Sequence, residues 1–74
     1  MPVLNVYKVI YYHQDDSTKK RGSVDLNDYV QAAAGDEDTL RAVLVANGRV
    51  LNGRTIRFQS ISNAYPANAL GVLS

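Results

Sequence analysis

Residues 35 to 48 read Gly-Asp-Glu-Asp-Thr-Leu-Arg-Ala-Val-Leu-Val-Ala-Asn-Gly, and this stretch decides the fold. Three acidic residues come near its start, where unpaired N–H groups and the positive end of a helix dipole favour negative charge. Leu40, Val43 and Leu44 follow at the i, i+3, i+4 spacing of one buried helix face. An Asn-Gly pair ends the stretch, because glycine readily takes the left-handed conformation of a C-terminal cap. We therefore predict a short helix, which must pack on another element because isolated helices of this length are marginal in water.

The segments on either side of this helix are typical of β-strands. Residues 3 to 14 are dense in β-branched and aromatic side chains, which favour a strand, and the polar residues 15 to 22 predict a hairpin tip. Residues 55 to 62 begin with alternating apolar and polar side chains, which predicts a strand with one buried face. Ile61 is out of phase with that alternation, which indicates a bulge or the end of the strand.

Residues 23 to 34 match two patterns. Leu26, Val30 and Ala33 fall at the i, i+4, i+7 spacing of a helix. However, a sheet of two strands is poorly stable, so a third strand paired with the first is needed. We predict a strand over residues 23 to 32. The predicted class is α+β: a small antiparallel sheet with one helix packed on one face, in the order β-β-α-β, plus an apolar C-terminal tail. The alternative order is β-α-α-β.

The composition limits the kind of protein. The 74 residues fit a single domain, residues 1 to 74, with a thin core. Domains this small often need disulfides, a metal or oligomerisation. The chain has no Cys and one His, which excludes disulfides and the usual zinc site, so we predict oligomerisation. It shows neither a signal-peptide pattern nor an apolar run of about 20 residues that would span a membrane. We expect a soluble protein of the cytoplasm or of a virus particle.

No group of residues indicates catalysis. His13 is the only imidazole and is predicted to be a surface residue at the end of a strand. Asp15 and Asp16 beside it are typical of a polar turn, because a calcium loop would carry more alternating oxygen ligands. The glycines after the predicted helix are in the wrong place for a phosphate loop, which precedes a helix. We expect no enzyme, no cofactor and no metal.

The aromatic residues indicate an interface. The chain has five Tyr, one Phe and no Trp. Tyrosine combines an apolar ring with a hydroxyl that can remain in contact with water, and it is enriched in protein interfaces. We interpret the strand face that carries Tyr7 and Tyr11 as the one that the helix leaves uncovered. The predicted interface consists of Tyr7, Val9, Tyr11, Val45, Tyr65, Leu70, Val72 and Leu73.

The leading prediction is a small non-enzymatic homo-oligomeric binding or structural module. Examples are a virion or particle accessory protein and a sequestering inhibitor. Its predicted partner is a second copy of itself, with a larger protein assembly as a further partner. The net charge of +1 offers no global attraction for a polyanion.

Two alternatives rest on the basic residues. Three arginines after the helix suit an anionic, nucleotide-like ligand at a subunit interface. The Lys-Lys-Arg run in the predicted hairpin tip suits nucleic acid, although nearby acidic residues repel phosphate and rank this alternative lower. The candidate anion-binding residues are Lys19, Lys20, Arg21, Arg49, Arg54 and Arg57.

Overall fold

A computed structural model of the chain describes residues 5 to 64 and 72 to 74. Its elements are β1 (Asn5–Asp15), β2 (Leu26–Ala32), α1 (Glu37–Ala46), β3 (Arg54–Ala64) and β4 (Val72–Leu73). The strands form one sheet in the order β3-β1-β2-β4. The α+β class is confirmed. The three predicted strands pair antiparallel, but the sheet as a whole is mixed, because β4 adds to the edge of β2 in the parallel direction.

The central strand β1 pairs antiparallel with β2 on one side and with β3 on the other. This position suits its sequence, because β-branched and aromatic side chains pack well on both faces of a pleated strand. Residues 26 to 32 pair with β1 over seven positions, although their apolar spacing also matches a helix. Over these seven residues, backbone pairing with β1 outweighs the helical spacing of the apolar side chains. Residues 23 to 25, which the predicted strand included, lie outside β2.

Helix α1 has the caps that the acidic start and the Asn-Gly end predict. The Asp36 carboxylate accepts hydrogen bonds from the Thr39 backbone N–H at 3.0 Å and from Thr39 Oγ1 at 2.7 Å. Asn47 is the C-cap, and Gly48 follows with a φ of 74°, in the left-handed region that favours glycine. The helix predicted from residues 35 to 48 is therefore confirmed.

The core lies between α1 and one face of the sheet. Its buried residues are Val9, Tyr11, Val30, Ala32, Leu40, Leu44 and Ile56. A bulge in β3 completes it: Tyr11 pairs with Phe58, but Ile10 pairs with Ser60, which leaves Gln59 as the extra residue. Ile61 thereby comes opposite Val9 and packs against the core. Of the two alternatives that the phase of Ile61 left open, the structure shows the bulge and not the end of the strand, since β3 continues to Ala64.

Candidate binding surfaces

The strand face that carries Tyr7, Val9 and Tyr11 lies under the helix, so its interpretation as the uncovered face is wrong. Val9 and Tyr11 are 0% exposed and belong to the same core cluster as the helix leucines. Tyr7 packs so closely on Gly35 that a Cβ added there would stand 2.7 Å from a ring carbon. The physical reason is charge: the opposite face of β1 carries Lys8, whose ammonium group would be costly to bury under a helix.

A polar network lies at one end of this core. The Tyr11 hydroxyl donates to Asp28 Oδ2 at 2.5 Å, and Arg49 Nε lies 3.6 Å from the same oxygen. Burial and the neighbouring Asp28 raise the pKa of Tyr11 above its ordinary value, so the phenol remains a donor. Because Tyr11 is fully buried, this hydroxyl holds structure together and does not reach a ligand.

His13 is also in the interior, and its prediction as a surface residue is wrong. It is 9% exposed, and its Nε2 lies 2.7 Å from the carbonyl oxygen of Arg49. Since a carbonyl only accepts, Nε2 carries the hydrogen and donates it. The contact fastens the loop after α1 to the sheet. The imidazole also packs against the Tyr11 ring in a T-shaped arrangement, with ring centroids 6.0 Å apart.

A cleft of about 370 Å³ opens beside His13. Its most exposed apolar walls are Val24 and Leu51, which are 62% and 54% exposed. Sequence reasoning missed this cleft, because its walls come from segments that are distant in the chain: the ends of three strands and the loops beside them. The lining residues are His13, Gly22, Ser23, Val24, Leu26, Leu51 and Arg54.

The sheet face opposite the helix, called the open face below, is a second surface. Pairing partners in a sheet share a face, so the ladder registers define its members. They include Val6, Lys8, Ile10, Tyr12, Asn27, Tyr29, Arg57, Ser60, Ser62 and Val72. Within residues 5 to 64 and 72 to 74, no helix packs on this face.

The tyrosines of the open face differ in their contacts. Tyr29 is 38% exposed and lies between Lys8 on β1 and Val72 on β4. Tyr12 lies under the Arg21 guanidinium, whose central carbon is 4.1 Å from the ring centroid. The open face therefore combines aromatic, aliphatic and basic groups.

The structure does not bring the predicted anion-binding residues together. Arg54 lies opposite Asp15 on the helix side of the sheet, whereas Arg57 lies opposite Tyr12 on the open face. Arg49 is in the loop after α1, and its side chain lies beside Asp28. In the hairpin tip, Lys19 and Lys20 are exposed, and Arg21 pairs with Asp25.

The remaining predicted interface residues lie in three places. Val45 is 46% exposed on α1, and its neighbours Ala42 and Ala46 are exposed as well. Val72 and Leu73 are half-buried in β4, where Leu73 packs against the core. Tyr65 and Leu70 lie outside the described residues.

In the described part of the chain, no three His, Cys, Asp or Glu residues are grouped so that they could hold a metal ion. The helix in those residues is too short to cross a membrane. Comparisons with protein-family models, curated proteins and solved structures find no match to this chain.

Proposed function

We propose that the chain is a non-enzymatic binding module that associates with a second copy of itself through the open face. The observation that carries this proposal is the unequal use of the two sheet faces. One face is buried under α1, while the other presents Ile10, Tyr12 and Tyr29 on adjacent strands with no described element over them. A domain of 8.1 kDa gains stability when such a surface is covered by a partner.

The chemistry of the open face suits a second copy. In a two-fold dimer the same patch faces itself, so it must supply both donors and acceptors. Lys8 provides an ammonium donor, and Asn27, Ser60 and Ser62 of the same face provide amide and hydroxyl oxygens. The Lys8 stem can lie along apolar surface while its ammonium reaches these oxygens. Tyrosines are enriched in such mixed interfaces.

Sedimentation velocity over a range of protein concentrations tests this proposal. We expect the wild-type chain to sediment as a species heavier than 8.1 kDa at high concentration. Tyr29→Glu should shift the equilibrium to the monomer, because it places a carboxylate in the middle of the interface. Leu51→Glu is the matched control, since Leu51 is at least as exposed but lies in the cleft on the other side of the sheet. Circular dichroism verifies that both variants fold.

Two results would contradict self-association through this face. One is a wild-type chain that remains a monomer at every concentration. The other is a Leu51→Glu variant that dissociates as readily as Tyr29→Glu.

A second candidate function is the binding of single-stranded nucleic acid on the same face. It is favoured by Arg21 stacked on Tyr12, and by Lys8 and Arg57 nearby. Bases stack on aromatic rings while cations contact phosphates in such sites. A labelled oligonucleotide added to the sedimentation experiment separates the two candidates. Co-sedimentation that weakens as salt rises would favour nucleic acid.

A further inference from the structure

Among the described residues, the arginine that lines the cleft has no ion-pair partner. Arg54 begins β3, and its guanidinium lies against Gly22: a Cβ built on Gly22 would stand 3.9 Å from Arg54 Nη1. Asp15 is opposite Arg54 in the sheet, but its carboxylate accepts hydrogen bonds from Ser17 and Thr18 in the turn. Within the described part of the chain, the Arg54 side chain makes no ion pair. A cation in this setting attracts an anion.

The remaining walls favour an apolar ligand. Val24 and Leu51 are more than half exposed, and Leu26, which also lines the cleft, is less exposed. Large apolar side chains around a concave surface are typical of ligand sites, where a few polar groups fix the orientation. The volume of about 370 Å³ corresponds to about twelve water-sized groups at about 30 Å³ each. A ligand with about ten non-hydrogen atoms fits this space.

We propose that the cleft binds a small amphipathic carboxylic acid. The apolar chain of the acid lies between Val24 and Leu51, and its carboxylate pairs with Arg54. A guanidinium presents two parallel N–H groups that match the two oxygens of a carboxylate. His13 is held in place by its bond to the Arg49 carbonyl and forms a rigid wall. A peptide is a poorer occupant, because its backbone amides would face apolar walls without partners.

A chemical-shift titration with octanoate tests this proposal, with 1-octanol and octylamine as ligands of the same chain length. We expect octanoate to shift amide resonances in residues 22 to 26 and 51 to 54, which contribute most of the residues that line the cleft. It should bind about tenfold more tightly than 1-octanol, which lacks the charge-assisted hydrogen bonds. Octylamine should bind most weakly, because its ammonium group is repelled by Arg54.

Two arginine variants give a matched comparison on the same strand. Arg54→Gln should weaken octanoate binding about tenfold and leave 1-octanol binding unchanged, because only the charged contact is lost. Arg57→Gln, on the opposite face of β3, should leave both affinities unchanged. Tyr29→Glu should also retain octanoate binding, which keeps this site separate from the open face.

The proposal would be overturned if the wild-type chain bound octanoate and 1-octanol equally well. It would also be overturned by octanoate shifts spread over the open face, or by equal losses in Arg54→Gln and Arg57→Gln. Shifts at the cleft that depend on protein concentration without ligand would assign the cleft to a second copy instead. The comparison of ligands on the wild-type chain is decisive even if Arg54→Gln fails to fold.

Discussion

At the scale of single residues, the pair formed by Tyr11 and Asp28 is a buried polar contact that supports the core. Tyr11→Phe removes the hydroxyl that donates to Asp28 Oδ2 and leaves a mostly buried carboxylate without its closest donor. We expect a loss of about 1–3 kcal/mol in the free energy of unfolding, which is typical when a buried acceptor loses its partner. Urea denaturation measures it.

Tyr12→Phe is the control for this prediction, since Tyr12 is on the open face and its ring rather than its hydroxyl contacts Arg21. It should change the unfolding free energy little. Equal stabilities for Tyr11→Phe and the wild-type chain would show that the Tyr11 hydroxyl does not support the core.

The sequence contained a signal for this network that pattern reasoning missed. Asp28 lies two residues from both Leu26 and Val30, so all three side chains are on the core face of β2. A carboxylate on that face needs a hydrogen-bond donor. Its partner Tyr11 could not be identified, because the register between two strands is not visible in either segment alone. The burial of His13 was missed for the same reason, since its partner is a backbone carbonyl 36 residues away.

At the scale of elements, two carboxylates stabilise the start of α1 and the turn after β1. Hydrogen bonds from the Thr39 hydroxyl and backbone hold the pKa of Asp36 below its ordinary value. Hydrogen bonds from the Thr18 and Ser17 backbone and the Ser17 hydroxyl lower the pKa of Asp15 to about 2. In the unfolded chain both groups titrate at about pH 4. Each contribution is therefore complete above about pH 4 and declines at lower pH, and that of Asp15 is lost as the pH falls toward about 2.

We expect the thermal midpoint of the wild-type chain to fall between about pH 4 and about pH 2. Asp15→Asn should be less stable at neutral pH and should show a shallower fall, because it has no charge to lose. Thermal melts followed by circular dichroism measure both effects. Glu37→Gln is the control, since no side-chain hydrogen bond involves Glu37 in the described structure. A pH profile of Asp15→Asn that matches the wild type would contradict this role of the turn.

The elements show how far local sequence determines this fold. The helix, its two caps and the β3 bulge could be predicted, because each is encoded in a few neighbouring residues. β4 could not, because two residues that pair with a distant strand leave no periodic signal. The choice of the face that α1 covers was also beyond the periodicity of β1, whose two faces are both partly apolar. Lys8 on the open face distinguishes the two faces, because its ammonium group would be costly to bury under the helix.

At the scale of the whole molecule, the sheet has one face buried under α1 and one face that we propose as the surface for a partner. Four of the five tyrosines of the chain belong to the described strands, and they divide between these faces. Tyr11 is buried beneath α1, whereas Tyr12 and Tyr29 are on the open face. The solvent exposure of Tyr11 therefore reports on the fold, and that of Tyr12 and Tyr29 reports on the proposed association.

Oxidative footprinting of the tyrosines at low and high protein concentration is the most direct measurement. We expect Tyr11 to be protected at both concentrations, and Tyr12 and Tyr29 to become protected only at the high concentration. Reactivity of Tyr11 equal to that of Tyr29 would contradict the fold. Reactivity of Tyr12 and Tyr29 that does not change with concentration would contradict association through the open face.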